Sequence, residues 1–222
     1  GTRSISLFER ECSVQRRHQK LIEEAPAPNV EREVLDAVAT IAKKVLTAVA
    51  YENLATIETL LDGDRFGFLE TNARLQVEHG VTEEVTGVDL VSTQIRLAAG
   101  ETIIDIVPQE VVLSGCAVEV RVYAEDSTRL LPSTGMLRVF RPPKMEGVRI
   151  EVGYREGQYV TPYYDPLLAK VIGWGTTREQ AIGRVIVALK AFEIDGVESN
   201  LDFLRRVLES EPFLKGRLHT GI

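Results

Sequence analysis

Cysteine chemistry, membrane anchoring and a phosphate-cradling glycine loop are all missing from this sequence. It holds only two cysteines, Cys12 and Cys116, and three histidines, with no Cys-x-x-C pair and no zinc-ligand spacing. A disulfide framework and a structural zinc site are therefore set aside, and reduced thiols in the cytoplasm or an organelle matrix are expected. No uncharged apolar run approaches the roughly 18 residues that a transmembrane helix needs. The opening Gly-Thr-Arg-Ser-Ile-Ser lacks the apolar core of a signal peptide. Positive charge is also in deficit: 26 Lys and Arg face 33 Asp and Glu, a formal net charge of −7. That balance argues against a nucleic-acid surface, although a local basic pocket for a small anion stays open. There is no initiator methionine either. The chain starts at Gly1 on a strand-like segment, Ser4 to Glu9, and reads as a piece of a longer protein.

What is present suits one large domain or two modest ones: 222 residues, 44% hydrophobic and 27% charged. After the basic stretch Arg10 to Lys20 and the break at Ala25-Pro26-Ala27-Pro28, apolar residues recur at helical spacing from Val34 to Leu46, with Asn29 as the expected N-cap. Leu54 to Leu61 and Arg65 to Glu70 read as a β-hairpin around Asp62-Gly63-Asp64. A helix is expected over Asp89 to Ala99, with Leu90, Ile95 and Leu97 inward and Gly100 as its stop. Beyond Val107-Pro108 the pattern becomes strands at 117–123, 136–140, 148–152 and 167–174, then helices at 178–192, capped by Thr176 or Thr177, and 201–208, capped by Asn200. A boundary is placed near residue 113. The fold class is α+β, dominated by antiparallel strands with helices packed on one side.

The chemistry concentrates in Glu70-Thr71-Asn72-Ala73-Arg74-Leu75-Gln76-Val77-Glu78-His79. A strand running through it would line Glu70, Asn72, Arg74, Gln76 and Glu78 on one face. Alternating polar residues usually mark a solvated sheet face. This set, however, combines hard oxygen donors of the kind Mg²⁺ prefers with an Arg fork for a planar anion. Glu58 lies inside an apolar strand, where a carboxylate is costly unless paired or bound to metal. A three-residue loop, Asp62-Gly63-Asp64, would put Leu61 opposite Arg65 and both Glu58 and Glu70 on one face, and that odd-length loop is the expectation. Glu58, Glu70 and Asn72 could then hold one or two Mg²⁺ ions against a nucleotide's phosphates.

These residues carry a resemblance. The run Glu70-x-Asn72-x-Arg74-Leu75-Gln76-Val77-Glu78-His79 is similar to the signature of biotin carboxylases, members of the ATP-grasp superfamily. So are Glu9-Arg10-Glu11-Cys12-Ser13-Val14-Gln15-Arg16-Arg17-His18-Gln19-Lys20, Ala117 to Asp126 and Tyr163-Tyr164-Asp165-Pro166-Leu167-Leu168-Ala169-Lys170. The four segments occur in order and span nearly the whole chain. The resemblance implies the C-terminal part of an ATP-grasp domain over 1–112 and the biotin carboxylase C-terminal domain over 113–222. It implies metal binding by Glu58, Glu70 and Asn72, with Mg²⁺ or Mn²⁺ as the ion, and ATP binding by His18, Glu58 and Glu70. Bicarbonate would be held by Lys20, Arg74, Gln76, the backbone of Val77 and Arg121. Glu78 would be the base that deprotonates it, and Arg121 would stabilise the biotin enolate, so that Arg74, Glu78 and Arg121 form the catalytic set.

The implied cofactors are ATP, the metal and biotin on a separate carrier, since Lys144-Met145 is not the Ala-Met-Lys-Met of a biotinylated carrier. The implied partners are a biotin carboxyl carrier domain or protein, a carboxyltransferase component, the N-terminal half that bears the glycine-rich lid, and a second copy in a homodimer of the parent enzyme. Without that lid the fragment alone is expected to be inactive. Two departures from the family pattern stand out: Gly80 replaces the usual Pro after Glu-His, and Ala73 replaces the usual Thr. Alternatives are a non-catalytic docking or dimerisation module and a different ATP-grasp ligase.

Overall fold

The structure, a computed structural model, describes residues 4–126 and 131–221. It divides into two compact units: Gly1–Arg10 with Ala25–Ser114, and Glu11–Glu24 with Gly115–Ile222. Their elements are numbered along the chain, so that the hairpin of β1 (Glu11–Arg16) and β2 (Gln19–Ala25) comes first although it belongs to the second unit. No helix among the described residues is long and apolar enough to cross a membrane.

The first unit contains α1 (Arg32–Ala48), the antiparallel pair β3 (Thr56–Asp62) and β4 (Arg65–Asn72), α2 (His79–Thr86), α3 (Leu90–Ala98) and the short α4 (Ile103–Ile106). A small core of Val88, Leu90 and Val107 gathers Ile5, Leu7, Leu54 and Leu75 around it. Helix α3 starts as its sequence dictates, with the Asp89 carboxylate accepting the Ser92 N–H at 2.7 Å. Three expectations are corrected here. Ser4 to Glu9 alternates in sequence but forms no strand; Ile5 and Leu7 serve the small core from an irregular path. Asn29 is not the cap of α1: it takes φ 56°, and the helix begins at Arg32 with Glu31 in the N-cap position. Ile95 is 65% exposed, while Leu90 and Thr93 are the buried residues of α3. The apolar residues of α1 keep their helical spacing, yet none is buried.

The hairpin β3–β4 corrects the loop. Asp62 pairs with Arg65, so the loop is the two residues Gly63 and Asp64. Gly63 takes φ 61°, which glycine adopts without the penalty of a Cβ and which a turn with glycine first requires. The odd residue lies in the strand instead. Thr59 pairs with Phe68 and Glu58 with Glu70, leaving Leu69 as a bulge that returns the two glutamates to opposed positions.

The second unit is built on a five-stranded sheet of order β1-β2-β5-β10-β8, where β5 is Cys116–Tyr123, β8 is Val148–Val152 and β10 is Leu167–Gly175. The small pairs β6 (Gly135–Met136) with β9 (Tyr159–Val160), and β7 (Val139–Arg141) with β11 (Glu193–Asp195), are antiparallel, as are β1–β2, β5–β10 and β8–β10. The strand expected at 136–140 is therefore two short strands that pair with different partners. Helix α5 (Arg178–Ala191), capped by the Thr177 hydroxyl accepting Gln180 N–H at 3.3 Å, lies on one face of β5 and β10. Val118, Val120, Val122 and Val171 meet Ala181, Ile182, Val185 and Leu189 in the core. Gly173 permits that approach: a Cβ there would stand 2.6 Å from the Ala181 carbonyl oxygen. Helices α6 (Leu201–Leu208) and α7 (Glu211–Leu214) close the core with Leu204, Leu208 and Phe213.

Candidate functional site

In the first unit, the bulge in β4 sets Glu58 against Glu70. Like charges directly opposed across a strand pair repel, and the Asn72 amide lies between them. Its Nδ2 donates to Glu58 Oε1 at 3.1 Å and to Glu70 Oε1 at 2.9 Å. Gln76 Nε2 donates to the same Glu58 oxygen at 2.6 Å. Arg74 Nη2 donates to Asn72 Oδ1 at 3.2 Å, and Arg10 Nη2 reaches Gln76 Oε1 at 2.6 Å and Thr56 Oγ1 at 3.1 Å. The single strand face expected for Glu70 to Glu78 is corrected: β4 ends at Asn72, and Arg74 and Gln76 lie in an irregular stretch. Glu78 then takes the N-cap position of α2 and is 2% exposed. The polar set is thus assembled by a strand end and a helix start.

The donors fit a hard divalent cation. Two carboxylates face each other, and the amide that donates to both presents its oxygen when turned over. Both carboxylates are engaged by amide N–H groups, neutral donors that an incoming cation can replace.

The second unit carries the other expected residues. His18 and Arg17 form the tip of the hairpin between β1 and β2, where Arg16 pairs with Gln19. They take φ 65° and 50°, backbone positions that a tight hairpin demands and that Gly or Asn usually fill. An Arg-His pair kept there exposes two long side chains at some backbone cost, a pattern that points to their side chains rather than to the turn. Lys20 follows in β2, and Arg121 projects from the neighbouring strand β5, where it is ion-paired with the fully buried Glu23.

Arg121 belongs to a row of charges running across the sheet on the face away from α5. Lys170 on β10 is paired in register with Arg121 on one side and Glu151 on the other, and its Nζ is 2.6 Å from Glu151 and 4.0 Å from Glu119. Burial pushes the Glu119 carboxyl well above its usual 4.5, the Glu23 charge adds to the rise, and Lys170 and Arg121 oppose it. An acid whose folded pKa is raised stabilises the fold fully below its unfolded pKa and loses that contribution as pH climbs toward the folded one. Glu119→Gln cannot ionise, so its unfolding midpoint in urea is expected to gain on wild type as the pH is raised from 4.5 through neutrality. A gap between the two proteins that stays constant over that range counts against this account.

The chain matches the family model for the biotin carboxylase C-terminal domain over residues 119–222, and that for the carbamoyl-phosphate synthase L chain ATP-binding domain over residues 2–106. It is 46% identical to the biotin carboxylase of Halalkalibacterium halodurans over 218 residues, covering 98% of this chain and 48% of that protein. Against biotin carboxylase 2 of Bacillus subtilis it is 44% identical, covering 98% of this chain and 49% of that protein. The biotin carboxylase domain of Hydrogenobacter thermophilus 2-oxoglutarate carboxylase, solved as a dimer with MgADP, ADP and bicarbonate, superposes with a TM-score of 0.92 at 37% identity, over 96% of this chain and 48% of that one. The chain belongs to the biotin carboxylase family. It spans about half the length of the bacterial relatives it matches.

The structure gathers Glu58, Glu70, Asn72, Arg74 and Gln76 into one connected network in the first unit. His18, Lys20 and Arg121 lie in the second unit, on its hairpin and on β5. Sequence reasoning assigned no role to Arg10, which ties Gln76 to Thr56 and, through Nη1 at 3.0 Å, to Thr82. The signal for it was its place inside the second family-like segment.

Proposed function

We propose that this chain is the C-terminal part of a biotin carboxylase, residues 1–112 completing its ATP-grasp domain and 113–222 forming its C-terminal domain. The assembled enzyme would use MgATP to phosphorylate bicarbonate, giving carboxyphosphate and ADP. Carboxyphosphate would break down to CO₂ and phosphate, and the ureido nitrogen of carrier-borne biotin would take up the CO₂. The observation that carries this reading is the opposed pair Glu58 and Glu70 with Asn72 between them, connected through Gln76 to Arg10 and through Asn72 to Arg74.

Each residue has work suited to its chemistry. Glu58, Glu70 and Asn72 would hold Mg²⁺, whose charge offsets that of the transferring phosphoryl group. Arg74 offers a planar fork that fits bicarbonate and never loses its proton. Gln76, held by Arg10, fixes the orientation of that anion. Glu78 takes the bicarbonate proton, and Arg121 faces the enolate oxygen of biotin. Catalysis on this scheme is mostly positioning and charge neutralisation. The partners are the N-terminal half with its lid, a biotinylated carrier, a carboxyltransferase component and a second copy, in the cytoplasm or an organelle matrix. The relatives support this in kind: they include the alpha subunit of rat mitochondrial methylcrotonoyl-CoA carboxylase and the dimeric domain described above.

The test is reconstitution. The 222-residue chain alone is expected to show no ATP- and bicarbonate-dependent carboxylation of free biotin, because its sequence holds no glycine-rich loop to close over the nucleotide and exclude water. Mixing it with a separately produced N-terminal half should restore the reaction. Full activity of the chain alone would overturn the fragment reading, and a folded complex without activity would favour a docking module.

A further inference from the structure

We infer that Glu23 and Asn200 are positioning residues for Arg121, the first fixing its guanidinium and the second its backbone, in the pose that the biotin step uses. This rests on the reading of Arg121 given above. Arg121 is an awkward residue to place in a central strand: its side chain is only 11% exposed, and both neighbours in β5, Val120 and Val122, are fully buried. Its charge is met from the next strand by Glu23, itself 0% exposed. Tyr123, two residues on in β5, shares its face, and the Arg121 charge opposes the rise that burial imposes on the Tyr123 hydroxyl.

The backbone at this point is clamped as well. Asn200 occupies the N-cap position of α6 but does not use its side chain to cap that helix. Its Nδ2 donates to the Arg121 carbonyl at 3.0 Å, its Oδ1 accepts the Tyr123 N–H at 2.8 Å, and its own N–H donates to the Tyr123 carbonyl at 3.2 Å. A residue type favoured for helix capping has spent its amide on strand β5, and it is 0% exposed.

Stability alone is a poor explanation for this arrangement. A buried ion pair often gains nothing over apolar residues of the same volume, and the opposite face of the same strand shows that apolar residues serve here. What the clamp does provide is a guanidinium with little freedom left to lose, the condition for holding a developing negative charge without reorganisation. The row Glu119, Lys170 and Glu151 continues the alternation of charge behind it, so neither Glu23 nor Arg121 faces a like charge alone.

The test uses two readouts. In the assembled enzyme, Glu23→Asp keeps the charge and withdraws the carboxylate by one methylene. It is expected to lower kcat for biotin carboxylation about 10-fold or more, and Glu23→Gln about 100-fold, with the KM for ATP within about twofold of wild type. In an Arg121→Ala background the Glu23→Asp loss should vanish, since Glu23 would act only through Arg121. The second readout needs no activity. In the 222-residue chain, the Arg121 guanidinium should give a slowly rotating, exchange-protected NMR resonance that Glu23→Asp and Asn200→Asp each broaden or remove. An assembled wild-type enzyme that fails to carboxylate biotin would count against the proposed function, and the NMR signal would still decide the positioning claim. Unchanged guanidinium order in both variants, or a Glu23→Asp loss that multiplies with that of Arg121→Ala, overturns the inference.

Discussion

Glu78→Gln in the assembled enzyme is expected to lower kcat for biotin carboxylation by about 10²- to 10⁴-fold, the range associated with loss of a general base. The substitution is nearly isosteric. At 2% exposure, and at the N-cap position of α2, Glu78 occupies a place that a neutral amide of the same shape can fill. What the amide cannot do is take the bicarbonate proton. The KM for ATP should therefore stay within about threefold of wild type, because an interaction used only at the chemical step affects kcat and not substrate binding. Bicarbonate-dependent ADP release should fall together with carboxylation, since both follow the same deprotonation. A kcat within about fivefold of wild type would remove Glu78 from the role of base.

The largest stability effect is expected in the second unit. Phe213→Ala should destabilise the chain by about 3–5 kcal/mol, read as a shift of the urea midpoint at constant slope. Phe213 is 0% exposed although it sits in α7, a helix of four residues that cannot stand without its packing. Its ring also supports Arg178, whose guanidinium lies 4.9 Å from the ring centroid while donating to the Phe213 carbonyl at 2.8 Å and to Glu24 at 2.6 and 2.9 Å. Removing the ring leaves a cavity and loosens the ion pair that joins α5 to β2. A loss below about 1 kcal/mol would mean that the segment repacks around the gap.

Much of the second unit could be read from its sequence, for a physical reason. Strands β5, β8 and β10 are short Val- and Ile-rich stretches with charged residues interspersed, and Thr177 marks the start of α5 by a hydroxyl that the helix uses. The hairpin β1–β2 was not legible, because its tip is Arg17-His18 rather than a turn dipeptide. In the first unit, Glu58 and Glu70 were expected on one face, and there they are, but by another route. The extra residue could equally sit in the loop or in the strand, and only backbone pairing distinguishes a three-residue turn from a bulge at Leu69. Helix α2 was hidden because alternation through Gln76 and Glu78 mimics a strand, while the start of the helix carries no side-chain cap. Arg10, Glu23 and Asn200 escaped for a different cause. Their importance lies in contacts with residues dozens of positions away, which no local pattern records.

The order in which the chain visits its two units has a practical side. It passes from one to the other after Arg10, returns after Glu24, and leaves again after Ser114. A single scission near residue 113 therefore cannot yield two self-sufficient pieces. The N-terminal piece would carry β2 without β5, baring Leu21, Ile22 and the carboxylate of Glu23, while the C-terminal piece would present β5 as an open edge. Only circular permutation or transplantation of the 11–24 hairpin onto the C-terminal piece would let either unit be handled as an independent module.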